Sequence, residues 1–142
     1  MIPEELQNVV DEIKKHEGFR SKVYKCTEGY DTIGYGFAIK DLELDEDVST
    51  LILMKKLLVL LERIYIAFPW FKDIDNEAKE VVMDMCYNLG IRGFSKFKKT
   101  IYYLETEQYQ EASVEMLDSL WAKQVKGRAK HLSNKIAAIS SD

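Results

Sequence analysis

Apolar residues recur at intervals of four and three near the start of the chain, at Leu6, Val10 and Ile13. That spacing marks one face of a helix. Pro3 suits its first turn, and Glu4 and Glu5 suit the positive end of its dipole. The next position on the stripe is Glu17, and Gly18 then predicts the stop. The pattern changes to alternation in SKVYK and again in YDTIGYGFAIK, with TEG between them, which predicts a small hairpin. Gly34 and Gly36 weaken the second strand and point to a bulge or a close backbone approach. A long apolar run, LILMKKLLVLLERIYIAF, predicts a helix over about 46–67 that Pro69 ends. Its polar face holds only Lys55, Lys56, Glu62 and Arg63, so the pattern predicts burial on most sides. The alternative is an apolar surface left open for a partner.

Helical spacing continues to the other end. Asp75 or Asn76 begins a helix carrying Ala78, Val82, Met85 and Leu89, which Gly90 ends. Further stripes run through Phe94, Phe97, Ile101 and Leu104, then Tyr109, Ala112, Met116 and Leu120, then Ala129, Leu132, Ile136 and Ile139. The predicted class is α+β and predominantly helical, with a hairpin lobe and a larger helical lobe. One domain over 1–142 accounts for the length. Its small lobe spans about 14–45, and its helical lobe about 46–142 together with the N-terminal helix.

Composition narrows the function. The net charge is −4, with twelve acids and six bases in residues 1–50 and nine bases and six acids in residues 92–142. Solvated helix faces explain such runs, and a mildly basic C-terminal surface facing an anionic polymer is the sharper reading. Overall acidity argues against a nucleic-acid binder. Charges interrupt the most apolar window, which argues against membrane insertion, and the sequence shows no signal-peptide pattern. Two cysteines make no disulfide framework. His16 and His131 sit in no metal-ligand spacing, so no metal is expected.

Chemistry concentrates in HEGFRSKVYKCTEGYDTIGYGF. Glu17 lies on the apolar stripe, where desolvation would raise its pKa toward that of a general acid. It could equally turn outward at a frayed helix end or pair with an arginine. Thr32 fits a strand by β propensity alone. Cys26 is less ordinary, since free cysteines favour apolar surroundings and this one lies among Lys25, Thr27 and Glu28. Cys86, on a helical stripe, reads as a buried hydrophobe.

This stretch resembles the catalytic segment of the phage-type lysozymes, whose pattern is Glu, eight residues, Asp or Cys, five residues, Thr. Glu17, Cys26 and Thr32 match it at both spacings. YNLGIRGF is similar to a family segment between helices, and Trp121, Arg128 and Ala129 match its Trp-x6-Arg-Ala stretch. The resemblance implies a two-lobe fold with a glycan cleft between the lobes and no cofactor. It implies a monomeric peptidoglycan hydrolase, a muramidase of the endolysin kind, that stays in the host cytoplasm until it is released to the wall. By position, Glu17 would protonate the leaving oxygen, and Cys26 and Thr32 would complete the catalytic set. Arg128 would approach Glu17 across the cleft. Asn88, Trp121 and Gln124 would contact substrate or support the cleft. Asn88 stands where the family often has Gln, and Phe37 where it often has His. Inverting glycoside cleavage needs an acid and a second group roughly 6.5–9.5 Å away, with water between them. A lysozyme fold that grips glycan without cutting, or one mounted on a virion, is the alternative.

Overall fold

A computed structural model describes residues 3–139. The chain divides into two compact units, Met1–Ser49 and Thr50–Asp142.

In the first unit, α1 (Glu4–Glu17) has acidic residues in its first turn and Lys14, Lys15 and His16 in its last, an arrangement that complements the helix dipole. Gly18 ends it with φ +70°, and its N–H donates to the Lys14 carbonyl at 3.0 Å. The expected hairpin is present but continues into a third strand. β1 (Arg20–Lys25), β2 (Asp31–Gly34) and β3 (Phe37–Ala38) form an antiparallel sheet in that order. The segment read as one strand turns back at Gly34 and Gly36, both at positive φ, where only glycine is free of strain. Three residues of β1 between Arg20 and Tyr24 face one of β2 between Thr32 and Gly34, so the register slips there and β1 carries a bulge.

α1 corrects one inference drawn from the stripe. No residue of this helix is buried, so the stripe locates Glu17 without desolvating it. Thr32, at 3% exposure, is the only buried residue of this unit among those described.

α2 spans Glu46–Ala67, the bounds its pattern gave. Asp45 Oδ1 accepts from the Val48 N–H at 2.8 Å and caps its first turn. The expected burial on most sides is corrected: Ile64 is its one buried residue, and Leu51, Met54, Leu58 and Ile66 are exposed. A helix with so narrow a polar face does not say which of its apolar sides meets a neighbour. Here it meets the core only near its C-terminal end.

The second unit is a helical assembly. A 3₁₀ turn (Pro69–Asp73) follows α2 and buries Phe71. α3 (Asn76–Ser95) starts where Asp75 Oδ1 accepts the Glu77 N–H, and it kinks at Gly90, with φ +76°. The sequence therefore located the break, and the chain resumes helical geometry beyond it. α4 (Lys98–Glu105), α5 (Tyr109–Leu117), α6 (Leu120–Val125) and α7 (Gly127–Ala137) complete the unit. Leu120 does not extend the α5 stripe; the chain breaks after Leu117, and Leu120 opens α6 while largely exposed. Ser119 causes this by capping α6, accepting the Ala122 N–H at 3.1 Å. Ile64, Phe71, Val82, Met85, Phe94, Leu104, Met116 and Ile136 are fully buried in one core. No helix among the described residues is long and apolar enough to cross a membrane.

Candidate functional site

Glu17, Cys26 and Thr32 all belong to the first unit. Glu17 is the last residue of α1 and is exposed. Its carboxylate lies against the β2–β3 turn, so close to Gly36 that a Cβ there would stand 2.6 Å from Oε2. Tyr35 of the same turn is also contacted from Lys14 of α1 and from Phe19 just beyond that helix. The Lys14 ammonium lies 5.5 Å from the centre of the Tyr35 ring, and Phe19 packs on Tyr35 with centroids 5.4 Å apart.

Cys26 follows β1 directly and is half-buried and free. Its N–H donates to the Tyr30 carbonyl at 2.9 Å, and its own carbonyl accepts from the Gly29 N–H at 2.9 Å, closing the turn. Backbone N–H groups at Tyr30 and Glu28, and to a lesser extent the Thr32 hydroxyl, lower the thiol's pKa against opposing desolvation and the Glu28 charge. Hydrogen bonds to a charged form favour that form. Thr32 sits opposite Tyr24 in the register, and its hydroxyl donates to the Tyr30 carbonyl at 2.9 Å.

Asn88, Trp121, Gln124 and Arg128 belong to the second unit. Trp121 is nearly buried, and its Nε1–H donates to Asn88 Oδ1 at 2.7 Å. The shorter amide at position 88 therefore still reaches the indole. Trp121 also packs edge-on against Phe97, which stacks on Phe94 of the core. Trp121 and Gln124 line a cavity of about 570 Å³ with Leu89, Phe97, Lys96 and Lys99 on its walls. Arg128, near the start of α7, is held within its own unit by Asp84. Its Nε donates to Asp84 Oδ1 at 2.7 Å, and Nη2 lies 2.6 Å from the same oxygen. Asp84 escaped the sequence reading because nothing along the chain links it to a residue 44 positions away. Phe97 had a signal, its place on a helical stripe, but that signal read only as core.

The sequence profile described as phage lysozyme matches residues 14–138, a span that holds all seven of these positions. The chain belongs to the phage lysozyme family. It is 25% identical to probable T4-type lysozyme 1 of Dictyostelium discoideum, with 94% of each chain covered. Probable T4-type lysozyme 2 of the same organism is 24% identical at the same coverage. The pre-baseplate central spike protein Gp5 of Enterobacteria phage T4 is 25% identical over 89% of this chain and 27% of its own length. The predominantly helical α+β architecture with a small antiparallel sheet is consistent with this family's fold.

Proposed function

We propose that this phage lysozyme family member is a muramidase. It cleaves the β-1,4 bond between N-acetylmuramic acid and N-acetylglucosamine of bacterial peptidoglycan, with inversion, and serves as a phage or prophage endolysin. The supporting observation is the complete Glu17–Cys26–Thr32 pattern inside a family match running from 14 to 138. Glu17 in its acid form gives its proton to the leaving glycosidic oxygen as the bond to the anomeric carbon breaks. A water held by Cys26 and Thr32 attacks that carbon from the opposite face. The lowered thiol pKa suits Cys26 to take up that water's proton. Neither a metal nor a cofactor is needed for this proton traffic. Asn88, Trp121, Gln124 and Arg128 bind glycan or hold the groups that do. The working form is a monomer without nucleic-acid partners or stable membrane insertion, held in the host cytoplasm until release to the wall.

The test is lysis of outer-membrane-permeabilised bacteria, with new reducing ends measured on purified peptidoglycan. The wild type should clear and cleave, and Glu17→Gln should do neither while keeping its melting temperature. A Glu17→Gln protein that cleaves normally would sink the mechanism. Wild-type protein that binds walls without cutting would make the chain a glycan-binding module. The alignment with a phage spike protein favours one second reading, a lysozyme mounted on a virion. Finding the chain in purified particles, and not free at lysis, would select that reading.

A further inference from the structure

We infer that Gly36 is a positioning residue for Glu17: the side chain that Gly36 lacks leaves the space in which the Glu17 carboxylate sits. This rests on the reading of Glu17 as the acid and adds a residue that fixes where the acid stands. A Cβ on Gly36 would lie 2.6 Å from Glu17 Oε2, 3.2 Å from Cδ and 3.8 Å from Cγ. The first is far inside van der Waals contact and the last is an ordinary one. The overlap therefore falls on the proton-carrying end of the side chain and spares its stem. Within its own unit no described hydrogen bond or ion pair holds that carboxylate. Packing against the β2–β3 turn is thus what restricts it there. A glutamate's terminal torsions are soft, so an added methyl would turn the carboxylate away sooner than it would move the turn.

Gly29 isolates this effect from backbone strain. Its φ is +86° against +79° for Gly36, yet a Cβ there would meet nothing within 4 Å. Alanine at either position forces a side chain into left-handed backbone, and only at position 36 does it also displace Glu17. Gly34 is a poor probe, because a Cβ there would meet the Phe37 ring at 2.8 Å.

The experiment compares Gly36→Ala with Gly29→Ala in the full chain, using soluble peptidoglycan fragments. Both variants should melt at similarly lowered temperatures. Gly36→Ala should lose about a hundredfold in kcat with little change in KM, the scale expected of a misplaced reacting group. Gly29→Ala disturbs the Cys26 turn, whose carbonyl accepts the Gly29 N–H, so it serves as the control for backbone strain in the melts and in the Glu17 resonance, not in kcat. The carboxyl carbon resonance of isotopically labelled Glu17 should move in Gly36→Ala and stay in Gly29→Ala. That readout does not depend on activity, so it separates failure of this inference from failure of the muramidase reading. Wild-type kcat in Gly36→Ala would overturn the inference, as would an unmoved Glu17 resonance. A loss confined to KM would also overturn it, by giving the space to substrate. If Gly36→Ala does not fold, Glu17→Ala is added to it. Recovery of folding supports the contact, and continued failure overturns it.

Discussion

Trp121 and Glu17 are both candidate site residues, and the two units hold them by opposite means. In Thr50–Asp142 the indole is part of the aromatic series Phe94, Phe97, Trp121 that leads out of the core. In Met1–Ser49 the described residues form no apolar core, and Glu17 lies at an exposed helix end against a glycine turn. Burial makes a side chain's position and the unit's stability one property. An exposed carboxylate beside a turn can be removed with little effect on folding. Function and stability should therefore separate at Glu17 and be inseparable at Trp121.

The widest separation is expected from Glu17→Gln set beside Trp121→Ala. The first should abolish nearly all cleavage and leave the unfolding free energy unchanged, since no buried contact is lost. The second should destabilise by about 3–5 kcal/mol, the usual range for emptying a core aromatic site. Its activity should fall with the folded fraction. Denaturant melts alongside cleavage rates check both. A Trp121→Ala protein of wild-type stability would show that the indole is not built into the core.

A smaller effect should follow from removing one bond and keeping the shape. Trp121→Phe retains much of the packing on Phe97 and loses the Nε1–H to Asn88 Oδ1. A hydrogen bond of this kind contributes about 0.5–1.5 kcal/mol. Asn88 is exposed, so water can take over its oxygen and the loss should fall at the lower end. Asp84→Asn should cost less again, under about 1 kcal/mol, because its pairing with Arg128 is solvent-screened. Its value is in the kinetics: if Arg128 acts on substrate, removing the charge that holds it should change KM. An unchanged KM would leave Arg128 with a structural part only.

The same contrast explains what could be read in the sequence. The α2 bounds, the Gly18 stop and the Gly90 break were legible because periodicity and glycine φ act locally. The Glu17–Cys26–Thr32 spacing was legible because it is a property of one short stretch. The surroundings of α2 were not, since a helix apolar on most sides does not encode which of them meets a neighbour. Asp84 as the partner of Arg128 and Gly36 as the neighbour of Glu17 depend on chain segments brought together by folding. Gly36 did announce a close approach, but the sequence could not say to what.

The two cysteines give the finest test, because they carry the contrast within one residue type. Burial pushes the Cys86 thiol up to about 12, whereas hydrogen bonds to the sulfur lower that of Cys26. The signs of their contributions are opposite. Cys86 is raised above its unfolded value, so its contribution is fully present below about pH 8.5 and is lost as pH rises toward 12. Cys26 is depressed, so its contribution is present above its unfolded value and is lost as pH falls through the folded one. The thiolate is the form that alkylates. Iodoacetamide near neutral pH should therefore modify Cys26 alone and inhibit cleavage, and Cys86 should react only after denaturation. Peptide mapping of the label gives the site, and the rate against pH should show a midpoint below that of an ordinary thiol. If Cys26 takes up the proton of the attacking water, Cys26→Asp should retain activity and resist the reagent, and Cys26→Ala should lose most activity. A Cys26→Ala protein that cuts at the wild-type rate would make the thiol a bystander. Glu17 would then work with another group, Asp31 being near at hand in the register beside Lys25.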